Sequence, residues 1–247
     1  MKCVILNLSC MKILLVLLAT SLLAQTASQR GDLDLYYVVF LRPAPLVQPL
    51  TTAEAEKLQA AHKTNIHTMV DAGILVAAGS MDDHPSAVAQ PNAIAGVFML
   101  KAASPEQAWT LAGLDPTVVQ RRNMIDVHSW RGPKGVGVAY QQWRKQHPDE
   151  DDKLDAYTLG IYVRGPRYTP DAAALHEQWV ARLHKAGRLA AAGRIENDDA
   201  DLVALTVFKA SSIEQAKREA ADDPSIKSGA YIAEFHKWSP ADLMMPW

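Results

Sequence analysis

The sequence predicts an α+β protein built from two tandem βαββαβ units that close on each other as one barrel. Three observations carry this expectation. First, the chain repeats itself: His62 and His176, Gly73 and Gly187, and Gly79 and Gly193 all lie 114 residues apart. After a loop that is six residues shorter in the second copy, the offset becomes 108 and holds for Asp115 and Asp223, His128 and His236, and Trp130 and Trp238. Matches in so fixed a register mark a duplicated module, and a repeat of this length decides the architecture before any motif does. Second, each copy runs strand, helix, strand, strand, helix, strand by its hydrophobic periodicity. Third, both faces of the first strand are apolar, with Tyr37, Val39 and Leu41 on one and Tyr36, Val38 and Phe40 on the other. Helices joined by right-handed crossovers cover only one face of such a sheet, so the second unit must cover the other.

The elements follow in order. Tyr36 to Arg42 and Ala156 to Arg164 are β-branched and aromatic runs closed by Pro or Gly. The first helix is expected from Thr51-Thr52, with Glu54 at capping-box distance from Thr51, to Gly73; its twin starts after Thr169, with Pro170 at the first position, and ends at Gly187. Second strands are expected over Ile74 to Ser80 and Leu189 to Ile195, and third strands over Ala93 to Lys101 and Leu202 to Lys209. Second helices open at Ser104 and at Ser211 or Ser212 and stop before Asp115-Pro116 and Asp223-Pro224. Met124 to Trp130 and Ala230 to Trp238 complete the two sets. The units are thus 34–130 and 156–240, joined by a linker, 131–155, with a short helix over Val138 to Gln146 and an acidic run, Asp149 to Asp152, that reads as a solvated face.

Composition narrows the partners. With 247 residues, 49% of them hydrophobic, the chain can bury one large core or two small ones. Twenty-seven acidic against 25 basic residues leave no positive field to hold a phosphate backbone, so no nucleic-acid partner is expected. An apolar run behind Lys12 ends in Ala24-Gln25-Thr26-Ala27-Ser28, which is signal-peptide grammar for 1–28, with Met11 a candidate start. Cleavage would leave a secreted or periplasmic protein with no membrane segment. Both cysteines, Cys3 and Cys10, lie in that segment, so the mature chain would use neither disulfides nor thiolate chemistry.

Candidate chemistry lies with the repeated polar residues. His62 shares an inward helical stripe with Leu58, Ile66 (or Asn65), Met69 and Gly73, and His176 shares one with Ala173, Val180, Leu183 and Gly187. A histidine there is more often a satisfied core residue than a site group, and its recurrence in the second copy brings the two readings level. Asp115 and Asp223 each precede Pro after the second helix. Asp-Pro is an ordinary turn opener; alternatively the carboxylate fixes the imidazole tautomer and leaves the other ring nitrogen as acid or base. Spacing alone does not bring the His and Asp together. His62 and His67 diverge by about 140° around a helix, which disfavours a metal pair. His128 and His236 share a strand face with the Trp two residues on, as cross-strand packing between the copies or as a pocket wall. No phosphate loop, nucleotide fingerprint or Gly-x-Ser-x-Gly elbow occurs, and no cofactor or metal is expected.

Together, the His eleven residues before Gly, the Leu-x-Ala-Ala-Gly second strands (Leu75 to Gly79, Leu189 to Gly193), the Ser-x-Glu-Gln-Ala helix starts (Ser104 to Ala108, Ser212 to Ala216) and the Asp-Pro turns resemble the YCII-related domain, twice over nearly the whole mature chain. The resemblance implies ferredoxin-like units paired as a dimeric α+β barrel, here an intramolecular pseudo-dimer, with His62 and Asp115, and His176 and Asp223, as the catalytic pairs. It also implies a small-molecule substrate, since relatives act as dehydrochlorinases or resemble muconolactone isomerases. An acidic residue that some relatives place two before the helix-ending Gly is Asp71 in the first copy and Lys185 in the second, which implies pockets of different charge and favours the first. The expected function is a cofactor-free His/Asp acid-base enzyme of lyase or isomerase type. The alternative is a non-catalytic small-molecule-binding or interaction module of the periplasm.

Overall fold

In the computed structural model, which describes residues 32–45, 48–81, 93–196 and 201–247, eight strands close into one antiparallel barrel with the helices outside it. The elements run β1 (Leu33–Pro43), α1 (Thr52–Asp71), β2 (Leu75–Met81), β3 (Gly96–Leu100), α2 (Pro105–Gly113), α3 (Pro116–Val119), β4 (Asn123–Pro133), α4 (Val138–Gln146), β5 (Tyr157–Arg164), α5 (Ala172–Lys185), β6 (Leu189–Ile195), β7 (Leu202–Phe208), α6 (Ile213–Ala220), α7 (Pro224–Lys227) and β8 (Tyr231–Pro240). Leu35–Trp247 is one unit, and the expected signal segment, 1–28, lies outside the described residues.

Around the barrel the order is β4-β1-β3-β2 and then β8-β5-β7-β6, closing back on β4. The first four strands and the last four therefore follow the same order, and each set has a hairpin, β2-β3 or β6-β7, reached by a helical crossover. Two seams join the sets: Gly79 to Met81 pair with Trp238 to Pro240, and Trp130 and Arg131 pair with Ile195 and Arg194. Closure leaves no open sheet edge, which is the liability of a free antiparallel sheet.

Local chemistry explains the ends of the elements. Thr51 and Glu54 form the expected capping box on α1, and Ser104 and Ser212 accept from Gln107 and Gln215 to cap α2 and α6. Gly73 (φ 72°) and Gly187 (φ 68°) sit in the left-handed region just past α1 and α5. The twin helix differs from expectation: Pro170 lies in a turn, and α5 starts two residues later, behind Asp171, which makes no side-chain cap.

Alternation along the strands divides the core. Tyr36, Val38, Phe40, Val97, Met99, Leu159, Ile161, Leu205 and Val207 face the barrel interior with Trp130 and Trp238, and both Trp are fully buried. The opposite faces pack under the helices. In the second half that outer layer is a separate cluster containing Tyr162, Trp179, Phe208 and Tyr231.

The joining segment is no free tether. β4 runs on to Pro133, Val136 and Tyr140 are buried, and α4 occupies the expected Val138–Gln146. Its acidic end is not wholly solvated either. Asp152 accepts from Tyr140 Oη at 2.6 Å and lies 3.0 Å from His67 Nε2, and Lys63 pairs with Asp151 at 3.1 Å. Arg144 Nη2 is 3.2 Å from His67 Nδ1. Because a guanidinium can only donate, His67 accepts through Nδ1 and carries its proton on Nε2 toward Asp152. His67 thus fastens the segment to α1.

Candidate functional site

The structure brings both expected His and Asp residues together. His62, in the third turn of α1, places Nδ1 2.7 Å from Asp115 Oδ2, and His176, in the second turn of α5, places Nδ1 2.7 Å from Asp223 Oδ2. The Asp-Pro sequence does more than open a turn. Each Asp is the N-cap of a one-turn helix with Pro at its first position, so one carboxylate oxygen is used locally while the other is aimed at the imidazole. Asp115 Oδ1 accepts from Thr117 N at 2.9 Å and Thr117 Oγ1 at 2.6 Å; Asp223 Oδ1 accepts from Ser225 N at 2.9 Å and Ser225 Oγ at 2.8 Å.

Both carboxylates are fully buried. Burial alone would push Asp115 upward, but the hydrogen bonds from His62 and Thr117 outweigh it and hold the carboxyl below its ordinary value. An acceptor-only carboxylate ringed by donors fixes the tautomer: each histidine carries hydrogen on Nδ1, and Nε2 is left with a lone pair. Among the described residues neither Nε2 has a hydrogen-bond partner. A depressed folded-state carboxyl stabilises the native state above its unfolded value of about 3.9, and that contribution disappears as pH falls through the lower folded value. Thr117→Ala removes the hydroxyl donor, so its acid-unfolding transition, followed by circular dichroism, is expected at higher pH than the wild type's. An unchanged transition would show that Thr117 does not hold Asp115 ionised.

The two surroundings differ. His62 is 15% exposed and stacks on Phe98 of β3 at 5.8 Å with planes 19° apart; Asn65, one turn on, donates to Asp115 Oδ2 at 3.1 Å. His176 is 6% exposed and sits among Tyr162 (4.7 Å), Trp179 (5.5 Å) and Tyr231 (5.5 Å). Trp179 stands where Asn65 stands in the first half, so a hydrogen-bond donor has become an aromatic wall. Burial, and then the Asp223 charge, push the Tyr162 phenol well above its usual value. Burial with Tyr168, Asp223 and Glu177 pushes Tyr231 up to about 12, so both phenols stay neutral at ordinary pH.

A half-open cleft of about 190 Å³ adjoins His176, walled by Arg164, Tyr168, Glu177, Arg194 and Tyr231. Sequence analysis singled out none of these side chains as site groups, because Arg164 looked like the counterpart of Arg42. The ladders say otherwise. Tyr37 pairs with Leu100 and Thr158 with Phe208, so Tyr37 matches Thr158, Leu41 matches Tyr162 and Pro43 matches Arg164. That one-residue slip reverses the face. Arg42 therefore lies on the interior side with Asp126 at 3.2 Å, whereas Arg164 lies on the helix side at the cleft, over the ring of Tyr168 at 5.0 Å.

Asp71 does not tune the His62 pocket. It is exposed at the end of α1, nine residues or about 13 Å of helix rise beyond His62. At the His176 cleft the residue one position after the His is Glu177, which lines the wall; its counterpart Lys63 is half exposed and pairs with Asp151. His128 and His236 lie on the interior face, not in the clefts: His128 Nε2 is 3.0 Å from Asp126, with the ring 5.5 Å from Phe40, and His236 lies opposite Leu159 within its own half.

No protein-family model matches the chain, and no curated protein matches its sequence. Among solved structures, a Lactobacillus acidophilus protein provisionally described as a monooxygenase aligns at 9% identity and a TM-score of 0.45, over 83% of this chain and 93% of its own. One provisionally described as a chlorite dismutase aligns at 9% identity and a TM-score of 0.49, over 84% of this chain and 95% of its own. Likeness this distant transfers no chemistry.

Proposed function

We propose that this is a duplicated, exported protein of YCII-related type whose two ferredoxin-like halves form an intramolecular pseudo-dimer, and that its His–Asp pairs are acid–base centres acting on a small organic molecule. One observation carries the chemistry: in both halves a fully buried carboxyl group, its other oxygen held by two donors, lies 2.7 Å from Nδ1 and leaves Nε2 unpartnered among the described residues. The common strand order of the two halves and the fixed sequence register support the duplication. The apolar run in 1–28 supports export.

In the second half the base is His176. Its Nε2 takes a proton from a carbon acid held in the cleft, and Asp223 stabilises the imidazolium that forms. Return of that proton to a different carbon gives an isomerisation; in an elimination the electron pair of the broken C–H bond becomes the new carbon–carbon π bond while the leaving group departs with the pair of its own bond to carbon. Neither outcome needs an oxidant or reductant. The close aromatic packing around His176 also favours, as a second reading, a module that binds without turnover.

Incubation in D2O with a panel of enolisable ketones, unsaturated lactones and chlorinated unsaturated acids, followed by proton NMR, separates the two. The wild type is expected to exchange or eliminate at least one class. Single His62→Ala and His176→Ala variants assign the active half, and the double variant is expected to lose the activity while still folding and melting cooperatively, at a lower temperature because both buried carboxylates lose a donor. Turnover that persists in the double variant, or saturable binding with no exchange across the panel, would overturn the enzymatic reading.

A further inference from the structure

We propose that the cleft beside His176 selects a single-ring planar carboxylate, and that Arg164 is the specificity-determining residue that receives the carboxylate. This rests on His176 as the centre of the site and adds the class of molecule it serves.

Charge is the first argument. The cleft wall carries two guanidinium groups, Arg164 and Arg194, against one carboxylate, Glu177. The cations are not equally available. Arg194 is occupied, with Nη1 3.5 Å from Glu177 Oε1 and Nη2 3.2 Å from Glu196 Oε1. Arg164 has no carboxylate partner among the described residues; its guanidinium rests over the Tyr168 ring at 5.0 Å. A stacked guanidinium keeps its donors in the ring plane free, and that planar fork matches a carboxylate bidentately.

Shape is the second. The Tyr168 and Tyr231 rings lie nearly parallel, 11° apart with centroids 6.2 Å apart, and His176 abuts Tyr231 at 5.5 Å. This aromatic wall leads from the cation to the base. A cavity of roughly 150 Å³ accommodates benzene, so a cleft of about 190 Å³ has room for one ring and a substituent. With its carboxylate on Arg164 and its face along Tyr231, such a molecule would turn its far edge toward His176.

The first half lacks this recognition set. Arg164 is matched by Pro43 in the ladder, Arg194 by Ser80, Tyr231 by Asn123 and Glu177 by Lys63. The imidazole–carboxylate pair is therefore common to both copies, while the anion receptor belongs to the second alone.

The test is binding, read independently of turnover. Benzoate and benzyl alcohol share a ring and differ in charge, and each is titrated by calorimetry and by NMR of the histidine side chains. Benzoate is expected to bind more tightly and to shift the His176 resonances but not those of His62. Arg164→Gln is expected to weaken benzoate by about tenfold or more and leave benzyl alcohol unchanged, and Arg164→Lys is expected to recover part of the loss. Arg164 is exposed, so these variants should fold as the wild type does. Equal affinities for the two probes, no effect on His176 at millimolar benzoate, or an unchanged benzoate affinity in Arg164→Gln would overturn the proposal. Deuterium exchange of neutral carbon acids would survive that failure; conversely, benzoate binding without any exchange would retain the receptor and reject the acid–base role.

Discussion

Asp223→Ala is expected to destabilise the protein by about 2–5 kcal/mol, because the mutation takes the acceptor away from three buried donors at once. Two losses combine. The one-turn helix α7 loses its cap, since the Ser225 amide and hydroxyl no longer find Asp223 Oδ1, and an N-cap deletion alone costs roughly 0.5–2 kcal/mol. His176 Nδ1–H, itself almost sealed from solvent, then faces a cavity with no acceptor. Asp223→Asn separates shape from charge. The Ser225 amide demands an acceptor, so the amide oxygen must take the Oδ1 place and the NH2 group must point at His176 Nδ1. The imidazole then has to accept there and move its hydrogen to Nε2, where it can no longer take a proton from a substrate. Denaturant unfolding is expected to show a loss of about 1 kcal/mol for Asn against the larger loss for Ala. Nitrogen NMR of His176 is expected to report the opposite tautomer. Equal losses in the two variants, or hydrogen still on Nδ1 in Asp223→Asn, would mean that the carboxylate does not set the state of the ring.

Much of this arrangement was legible in the sequence because it is periodic. The strands and both long helices are announced by apolar runs closed by turn residues, by helical periodicity, by caps such as Thr51 with Glu54, and by glycines such as Gly73 and Gly187 that adopt positive φ. The His–Asp pairing came from the family resemblance and not from spacing, since the histidines recur 114 residues apart and the aspartates 108. What the sequence hid is what depends on register and on distance. Arg42 and Arg164 occupy similar words in the two copies, yet a single-residue difference in strand pairing sends one to the barrel interior and the other to the cleft. Tyr168 lies in the turn after β5 and Tyr231 at the start of β8, and no local pattern announces that they stack. Asp152 looked like one more solvated acid because its partners, His67 and Tyr140, approach it from α1 and α4. One clue was available: the residue three after each His is Asn65 in one copy and Trp179 in the other, and a change of that size beside a shared group signals that the two pockets have diverged.

The repeated glycines Gly79 and Gly193 carry the second large expected effect, because each lies where a strand of one half passes a strand of the other. At Gly193 an added Cβ would fall 2.7 Å from Trp130 Nε1 and closer still to the Arg131 carbonyl oxygen; at Gly79 it would fall 2.6 Å from Trp238 Nε1 and 2.7 Å from the Pro240 nitrogen. Neither glycine has positive φ, so the requirement is close approach and not backbone freedom. A flexible side chain could yield, but at both sites the obstacle includes backbone, and both Trp are fully buried inside the barrel. Gly193→Ala is therefore expected to force the β4–β6 seam apart at a cost of about 3 kcal/mol, the upper end of overpacking penalties, and to lower the melting temperature by about 10 °C. Gly113, the last residue of α2, has no atom within 4 Å of its added Cβ, so Gly113→Ala is the matched control and should be neutral or slightly stabilising. An opened seam also bares strand edges that closure had satisfied, so the Gly193→Ala protein is expected to self-associate on warming where the wild type does not. Light scattering during the melt measures this directly. Melting that matches the Gly113→Ala control, without association, would mean that the seam is plastic and that the halves do not depend on it for closure.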